Sequence, residues 1–584
     1  MEGGTGNVAP VNGAEYLVRA LASEGVDHLF MVPGGMNDAF MVPMTETPGV
    51  RTIVAAHEGG AAYMADGWAR ATGRVGTAFG IGGPGILNMA TALASARSDR
   101  STVLAISGEV PVSWEGRGGF QDATGPGLDD MVVLRGICDI SVRLESAAML
   151  DHQLRALLLH GLARRSPVHL SIPKDLQEAD QPGRWVPLHD SAYCSPAVDG
   201  DALDRLLGLF APAAGDAPTN VVVIAGPGVR WSGVADHLVE FAERWDVPVA
   251  TTLGAKGVMP EDHPQALGVF GYGGSRWATE AVLDPAVEVL IVLGSGLSQR
   301  DTLQWDPAML PSRAFVHVDP DPTLIGRLWP SEIPVVGDCG AVLRALVAAD
   351  GASGAGLEAG RDARRRFLEG VRARGPMAYD VETRSSEAVP LHPARVIAAA
   401  REVFARDTVA VVDSGAHRAF AAQHWPSYGP RDYLSTTNLG PMGAALALGI
   451  GSALARPDHR HVVITSDGCM LMHGMELHTA VRERVPLTLL VLDNQAYGNI
   501  WYRAHTLGDG PTHLTEIPGA DWLAFGRSMG AEGARVEHPG ELRAAFERAA
   551  ESDVPFVIDA RTDRSAAKPT APWTQAVKEW EDTH

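Results

Sequence analysis

Short apolar runs alternate with amphipathic stretches along most of this chain. Short apolar runs that end at glycine or acidic residues are typical of buried strands, and the stretches between them have helical spacing. In the first block, residues 11–181, Ala14–Glu24 is predicted as a helix, and the predicted strands are His28–Val32, Thr52–Ala56, Val75–Ile81, Thr102–Ser107 and Val168–Ile172. Strands that alternate with helices in this way predict a doubly wound parallel sheet.

Two further blocks repeat the pattern. In residues 201–348 the predicted strands are Asn220–Ala225, Val287–Leu293 and Ala314–Val318; in residues 390–565 they are Thr408–Val412, Val462–Thr465, Leu487–Leu492 and Phe556–Ile558. Pro182–Gly200 and Asp350–Gly360 are rich in glycine, proline and polar residues and are predicted as linkers. We therefore predict an α/β protein with three doubly wound parallel-sheet domains, the first and third sharing a layout. The polar tail after Asp563 is expected to be partly mobile.

Composition narrows the class of protein. A length of 584 residues is too great for one core. The formal charge of −22 argues against nucleic acid or an anionic membrane as partner. The four cysteines are scattered without metal spacing, which fits a reduced cytosolic protein. No signal sequence and no membrane-spanning apolar stretch are recognisable, so a soluble cytoplasmic enzyme is expected.

The most informative stretch is His461–Gly498. A strand leads into Ser466-Asp467-Gly468, the helical pattern Met472–Arg484 follows, and a second strand ends in Asp493-Asn494. This order predicts a parallel βαβ unit, and ligands in open α/β sheets bind beyond the carboxyl ends of such strands. A carboxylate and an amide oxygen at that edge suit a hard divalent cation that holds a diphosphate.

These residues resemble the metal–diphosphate motif of the thiamine diphosphate-dependent decarboxylases and carboligases. That motif is usually Gly-Asp-Gly, a spacer and Asn-Asn, from which Ser466 and Asp493 depart. The resemblance covers about residues 11–565 and is closest to acetolactate synthase large subunits. It implies three domains (pyrimidine-binding, central and diphosphate-binding) and Mg²⁺ held by Asp467, Asn494 and the carbonyl of Ala496. The implied cofactor-binding residues are Gly83, Pro84, Asn88, Gly415, His417, Gly468, Cys469, Tyr497 and Gly498.

The resemblance also implies catalytic roles. Glu58 follows a buried strand, at the position of the acid that protonates the aminopyrimidine ring of the cofactor. The imino form of that ring then takes the proton from thiazolium C2. Burial would raise the pKa of Glu58 and keep it able to donate its proton. Met442 matches the apolar wedge between the two cofactor rings, and the Gly440 carbonyl matches the acceptor for the pyrimidine amino group. Gln121 would reach the substrate oxygen from a neighbouring subunit. Active sites between subunits imply a homodimer or homotetramer.

The implied reaction is decarboxylation of a 2-oxo acid, with pyruvate expected, and carboligation to a second carbonyl compound. Candidate substrate-pocket residues are Met36, Phe120, Asn499, Trp501 and Arg503. Acetolactate synthases normally have Met and Trp at the positions of Asn499 and Arg503, so a polar or anionic acceptor is one interpretation; a solvated arginine is the other. FAD binding stays open, because Gly296 replaces a family arginine, the Gly271–Gly274 turn lacks the family histidine, and Asp319 is only a strand-end acid.

Alternatives remain on the same fold. A non-ligating decarboxylase similar to benzoylformate decarboxylase would lack its catalytic histidine, since Ile81 falls near that place, and the chain contains no His-His pair of the pyruvate decarboxylase kind. An acyl-CoA lyase or decarboxylase and a flavin-coupled oxidase are further candidates. A non-catalytic homologue is disfavoured because Glu58, Met442, Asp467 and Asn494 occur together.

Overall fold

Three six-stranded sheets, flanked by helices, make up the molecule. The computed structural model describes residues 11–181, 184–189, 197–210, 219–349, 355–506, 510–570 and 572–575. Within each sheet all neighbouring strands are parallel. A separate antiparallel pair joins Val11–Asn12 to Asp180–Gln181. The predicted fold class is confirmed. No helix in the described part of the chain is long and apolar enough to span a bilayer.

The N-terminal and C-terminal sheets share one topology, as the sequence pattern suggested. In spatial order, the N-terminal sheet contains Arg51–Val54, His28–Met31, Gly76–Ile81, Val103–Glu109, Val168–Pro173 and Ile140–Arg143. The C-terminal sheet contains, in corresponding order, Tyr433–Ser435, Val409–Val412, His461–Ser466, Leu487–Asp493, Phe556–Arg561 and Glu532–Val536. Strand order reverses beside the first strand in each sheet, which leaves a crevice at the carboxyl edge.

The central sheet is wound differently. Its spatial order is Ala266–Val269, Val249–Thr251, Val221–Ala225, Val289–Leu293, Ala314–Asp319 and Ile333–Val336. Its helices are Gly200–Gly208, Pro227–Trp231, Ala235–Trp245, Arg276–Val282, Cys339–Ala348 and Ala355–Ala373. The last of these begins inside the predicted linker Asp350–Gly360, so that prediction is wrong from residue 355 onward; residues 350–354 lie outside the described residues. Of the predicted linker Pro182–Gly200, residues 182–183 and 190–196 also lie outside them.

The helices of the outer two blocks carry the candidate site. Those of the N-terminal block are Gly13–Ser23, Asp38–Glu46, Glu58–Thr72, Pro84–Asn88, Ala90–Ser98, Asp130–Ile137, Leu150–Arg164 and Lys174–Glu178. Those of the C-terminal block are Pro393–Val403, Ala416–His424, Ala444–Ala455, Asp467–His473, Glu476–Arg482, Gly498–Thr506, Trp522–Ser528 and Leu542–Glu551. The predicted crossover helix Met472–Arg484 is corrected: it begins at Asp467 and is interrupted between His473 and Glu476.

Two of these helices join the N- and C-terminal blocks. Glu58–Thr72 packs on Ala444–Ala455 so closely that a Cβ on Gly67 would lie 2.1 Å from the Leu448 carbonyl oxygen, and one on Gly451 would lie 1.9 Å from that of Met64. Only glycine permits such approach. The shared core fixes the helix that starts at Glu58 against the C-terminal block.

Candidate active site

The crevice of the C-terminal sheet is organised by Asp413, which follows strand Val409–Val412. Its buried carboxylate accepts hydrogen bonds from the Ser414 and Gly443 amides, both at 2.9 Å, and from Thr465 Oγ1 at 3.1 Å. Asp413 therefore ties the glycine-rich turn before helix Ala444–Ala455 to two strand ends. Sequence reasoning assigned it no role, because its partners lie far along the chain.

Asp467 and Asn494 converge at the same edge. Asp467 Oδ1 accepts from the Gly468 amide at 2.9 Å, and its Oδ2 accepts from the Ala496 amide at 3.1 Å. The Ala496 amide also donates to Asn494 Oδ1 at 3.1 Å. Two side-chain oxygens from neighbouring strand ends thus meet at one N–H group, as the βαβ pattern predicted.

The charge of Asp467 requires a partner. Burial raises the pKa of Asp467 to about 7, and no Lys or Arg in the described ranges forms an ion pair with it. A buried carboxylate stays ionised only when a positive group compensates it. The neighbouring Asp493 already has such a group, since its Oδ2 lies 2.8 Å from Arg561 Nη1. The donor set at Asp467 therefore fits a divalent cation.

That cation would need further oxygen ligands. Among the described residues there is no group of three or more His, Cys, Asp or Glu side chains suited to a metal. Asp467 and Asn494 supply two oxygens, whereas Mg²⁺ takes about six, and it usually keeps waters and phosphate oxygens. The arrangement fits a metal that is held jointly by protein and diphosphate.

Met442 stands beside this site. It belongs to a turn in which Gly440 and Gly443 have φ of +66° and +82°, the left-handed region that glycine tolerates. A Cβ on Gly468 would lie 3.3 Å from Met442 Cε and 3.0 Å from the Tyr497 ring. Gly468 therefore leaves the start of helix Asp467–His473 open to a ligand between these side chains.

A cavity of about 260 Å³ lies at this edge. Ten of the sequence-predicted residues line it: Gly415, His417, Gly440, Met442, Gly468, Asn494, Ala496, Tyr497, Gly498 and Asn499. Its lining comes from residues 393–568, in the C-terminal block and the tail that follows it. Glu58, Gln121 and the other N-terminal candidates do not line it within one chain.

His417 and Cys469 flank the cavity differently. His417 is buried, its Nε2 has no hydrogen-bond partner in the described part of the chain, and burial lowers the pKa of this histidine to about 3. A neutral imidazole with an unsatisfied nitrogen suits a hydrogen bond to a ligand. Cys469 is also buried, but its Sγ lies 3.3 Å from the Ser414 carbonyl oxygen, and burial raises the pKa of its thiol. It is a packed helix-start residue, not a nucleophile.

Glu58 begins helix Glu58–Thr72 at the edge of the N-terminal block. Its Oε2 accepts from Asn88 Nδ2 at 2.9 Å, and its Oε1 lies 3.4 Å from where a Cβ on Gly85 would be. His57 caps the helix by accepting from the Gly59 amide at 3.0 Å. Glu58 is partly exposed, so the burial that sequence reasoning expected is not present within one chain.

The turn before Glu58 is held by Glu476 from the C-terminal block. The buried Glu476 carboxylate accepts from the Ala56 amide at 3.1 Å and from the His57 amide at 3.0 Å. A Cβ on Gly60 would collide with the same carboxylate. Glu476 thus couples the candidate acid to the diphosphate block, and no signal in the sequence pointed to it.

Gln121 lies in an irregular loop of the N-terminal block. Its φ is +62°, and its carbonyl oxygen lies 3.7 Å from where a Cβ on Gly83 would be. Phe120 is 80% exposed beside it. Met36 is partly buried, and its carbonyl oxygen accepts from Gln177 Nε2 at 2.9 Å. Pro84 starts the helix that carries Asn88. Of these candidates, Asn88 contacts Glu58 directly, and Gln121 lies beside the Gly83 turn that precedes the same helix.

A buried acid pair supports this loop. The carboxyl groups of Glu109 and Asp130 interact in the interior, and Glu109 Oε2 and Asp130 Oδ1 have no other hydrogen-bond partner in the described part of the chain. A proton shared between the two groups would satisfy both oxygens, because a carboxylate has no donor of its own. Asp130 Oδ2 accepts from the Gly83 amide at 2.9 Å, and Ser107 Oγ donates to Glu109 Oε1 at 2.9 Å. Ser107 also contacts His169 Nε2 at 2.9 Å. The pair thus joins the Gly83 turn to the end of a central strand.

This pair makes stability depend on pH. Burial, then repulsion from Asp130, raises the pKa of Glu109 to about 8, although Ser107 and Arg143 oppose the rise; Asp129 adds repulsion at Asp130. The folded state therefore binds the proton more tightly than the unfolded state, and the stability from the protonated pair is lost as pH rises through about 8. We expect the free energy of unfolding in urea to fall with pH by up to about 1.4 kcal/mol per pH unit in the wild-type protein. In Glu109→Gln this dependence should become much weaker between about pH 5 and about pH 9. Parallel curves for the two proteins would contradict the shared proton.

The substrate-pocket candidates separate into two groups. Asn499 lines the cavity, and its Oδ1 accepts from Lys568 Nζ at 2.9 Å. Trp501 is buried behind the cavity wall, stacked on His505 with ring centroids 4.7 Å apart. Arg503 is exposed and does not line the cavity. Sequence reasoning missed Lys568, which lies in the tail without a motif.

The central block gives no clear support for FAD. A Cβ on Gly226 would lie 2.4 Å from the Gly294 carbonyl oxygen, and one on Gly294 would lie 2.6 Å from the Gly228 Cα. The chain's own backbone fills these glycine positions at the point where strand order reverses. Asp319 is buried, its Oδ1 accepts from the Asp321 amide at 2.9 Å, and burial raises its pKa to about 6. Packing thus accounts for these glycines without a dinucleotide.

Comparison with known protein families finds matches in all three blocks. Residues 11–130 match the family model described as thiamine pyrophosphate enzyme, N-terminal TPP binding domain. Residues 216–346 match the central domain of the same enzymes, and residues 413–560 match their C-terminal TPP binding domain. The matched segments contain Glu58, Asp467 and Asn494.

Several curated relatives are similar over nearly the whole chain. A probable acetolactate synthase large subunit of Methanocaldococcus jannaschii is 31% identical over 578 residues, covering 96% of this chain and 94% of the relative. A putative acetolactate synthase large subunit of Mycobacterium tuberculosis is 30% identical over 570 residues, 95% of this chain and 98% of the relative. The acetolactate synthase large subunit of Corynebacterium glutamicum is 30% identical over 557 residues, which cover 94% of this chain and 86% of the relative.

Proposed function

Because this chain belongs to the thiamine pyrophosphate enzymes, we propose that it decarboxylates a 2-oxo acid, with pyruvate as the expected donor, and ligates the acyl unit to a second carbonyl compound. The cofactors are thiamine diphosphate and Mg²⁺. The observation that carries the proposal is the convergence of Asp467 and Asn494 on the Ala496 amide beside a cavity lined by Met442. Similarity to acetolactate synthase large subunits supports the ligation step.

Each part of the cofactor has a place in this proposal. Asp467, Asn494 and the Ala496 carbonyl would hold the metal, and the buried His417 with its unsatisfied Nε2 would bind the diphosphate. Met442 and Gly440 would hold the bent cofactor. When bound, thiamine diphosphate supplies the electron sink that makes decarboxylation possible. Glu58 would hold a proton against the aminopyrimidine.

We further propose that two subunits complete each site. The cavity lining comes from the C-terminal block and the tail after it, whereas Glu58 lies at an edge of the N-terminal block. Leu471, Met472 and Met475, on and just after the helix that begins at Asp467, are each about half exposed, at 55%, 48% and 55%. Such an apolar patch next to a site is typical of a subunit interface. A homodimer or homotetramer follows.

Product analysis tests the proposed reaction. The chain is incubated with thiamine diphosphate, Mg²⁺, pyruvate and a panel of 2-oxo acids and aldehydes, and product masses are measured. We expect the mass of donor plus acceptor less CO₂. Free aldehyde in place of ligated product would identify the decarboxylase alternative. Absence of CO₂ release with every donor would overturn the proposal.

A further inference from the structure

Lys568 forms part of the cavity wall. Its Nζ donates to Asn499 Oδ1 at 2.9 Å and lies 5.5 Å from the centre of the Tyr502 ring. Both partners belong to helix Gly498–Thr506 and line the cavity with Lys568. The lysine therefore faces the same space as Met442 and Asn494.

The ammonium group of Lys568 has no acidic partner among the residues that the structure describes. Burial, then repulsion from Arg503 and Arg300, lowers its pKa. Within the described ranges no Asp or Glu forms an ion pair with it. An ammonium group has three donors, and Asn499 accepts only one of them. A part-buried cation with free donors beside a cavity is suited to an anionic ligand.

The other charged groups at this wall do not neutralise it. Arg564 also lines the cavity, and its Nη1 lies 3.8 Å from Glu516. Asp563 lines it too, but its Oδ1 accepts from the Ser565 amide at 2.8 Å and from Ser565 Oγ at 2.7 Å. Among the charged side chains that line the cavity, the cations Arg564 and Lys568 outnumber the single acid Asp563, although the whole chain carries a formal charge of −22.

We propose that Lys568 binds a second anionic group of the substrate, so that the enzyme acts on a carbonyl compound with two anionic groups. The second group is a carboxylate or phosphonate at the end of the molecule away from the reacting carbonyl. This rests on the proposed function, because it assigns the substrate class of the same site. Asn499, at the acceptor-facing position by resemblance, holds the ammonium in place.

Binding of unreactive anions tests this without turnover. Titration calorimetry on protein loaded with thiamine diphosphate and Mg²⁺ compares succinate and 3-phosphonopropionate with the monoanion butyrate. Lys568→Gln should weaken the binding of succinate or phosphonopropionate by about tenfold or more and leave the binding of butyrate unchanged. The matched control Arg527→Gln removes an equal charge from an exposed position of the same block, outside the cavity lining, and should change the same affinities by less than about threefold. The ligand that loses more affinity in Lys568→Gln, succinate or 3-phosphonopropionate, identifies whether the second anionic group is a carboxylate or a phosphonate.

Three results would overturn the assignment. The first is that wild-type protein binds the dianions no more tightly than butyrate. The second is an equal loss of dianion affinity in both variants, which would indicate a general electrostatic effect of positive charge and no specific contact. The third is that Lys568→Gln weakens thiamine diphosphate by the same factor, which would assign the lysine to the cofactor. If the variant loses dianion binding but no 2-oxo acid releases CO₂, the anion site stands and the proposed reaction fails.

Discussion

Replacing Glu58 with glutamine is expected to lower kcat by about a thousandfold or more while thiamine diphosphate still binds. Glutamine keeps the size of the side chain and an oxygen that can accept from Asn88 Nδ2, which lies 2.9 Å from Glu58 Oε2 in the native protein. It has no proton to exchange with the cofactor. The loss should therefore appear in kcat and not in the calorimetric Kd for thiamine diphosphate.

The control for this variant is Glu551→Gln, an exposed acid at the end of a C-terminal helix. It carries the same chemical change away from both half-sites and should keep wild-type kcat. Sedimentation must show the same oligomer for both variants, because the site is expected to need two subunits. Near wild-type turnover of Glu58→Gln would remove Glu58 from the reaction.

The sequence predicted the central strands well and the edge strands poorly. Leu487–Asp493 is wholly buried and apolar over most of its length, so its pattern is unambiguous. The strands Ile140–Arg143, Tyr433–Ser435 and Glu532–Val536, which were not predicted, lie at sheet edges or are only three residues long. Such segments become strands through pairing with a neighbour, which local pattern does not encode. For the same reason, the sequence pattern did not predict three strands of the central block, which are Val249–Thr251, Ala266–Val269 and Ile333–Val336.

The candidate site divides in a similar way. Asp467 and Asn494 were found because one crossover brings adjacent strand ends together, and the parallel register pairs Ser466 with Leu492. Glu476 was missed because it reaches amides about four hundred residues earlier in the chain. Lys568 was missed because its role depends on where the tail lies. Local motifs thus predict the candidate metal site, whereas the residues that support it can be found only from the tertiary fold.

Replacing Asp467 with asparagine is expected to weaken Mg²⁺-dependent binding of thiamine diphosphate by about a hundredfold or more. Asparagine retains the volume and one oxygen but lacks the charge that a hard cation prefers. Alanine would in addition leave the Gly468 and Ala496 amides without their acceptor, so asparagine is the cleaner test. The apo protein should remain folded, since the neutral side chain resembles the protonated acid that burial favours.

The measurement is the shift in thermal unfolding caused by saturating cofactor and Mg²⁺. Ligand at about a hundred times its Kd stabilises the folded state by about 2.7 kcal/mol, and most of this should disappear in Asp467→Asn. Asp458→Asn, on an exposed turn before the same strand, makes the same chemical change and should keep the full shift. An undiminished shift in Asp467→Asn would mean that the cation is held elsewhere, and Asn494, which meets Asp467 at one amide, would lose its assignment as well.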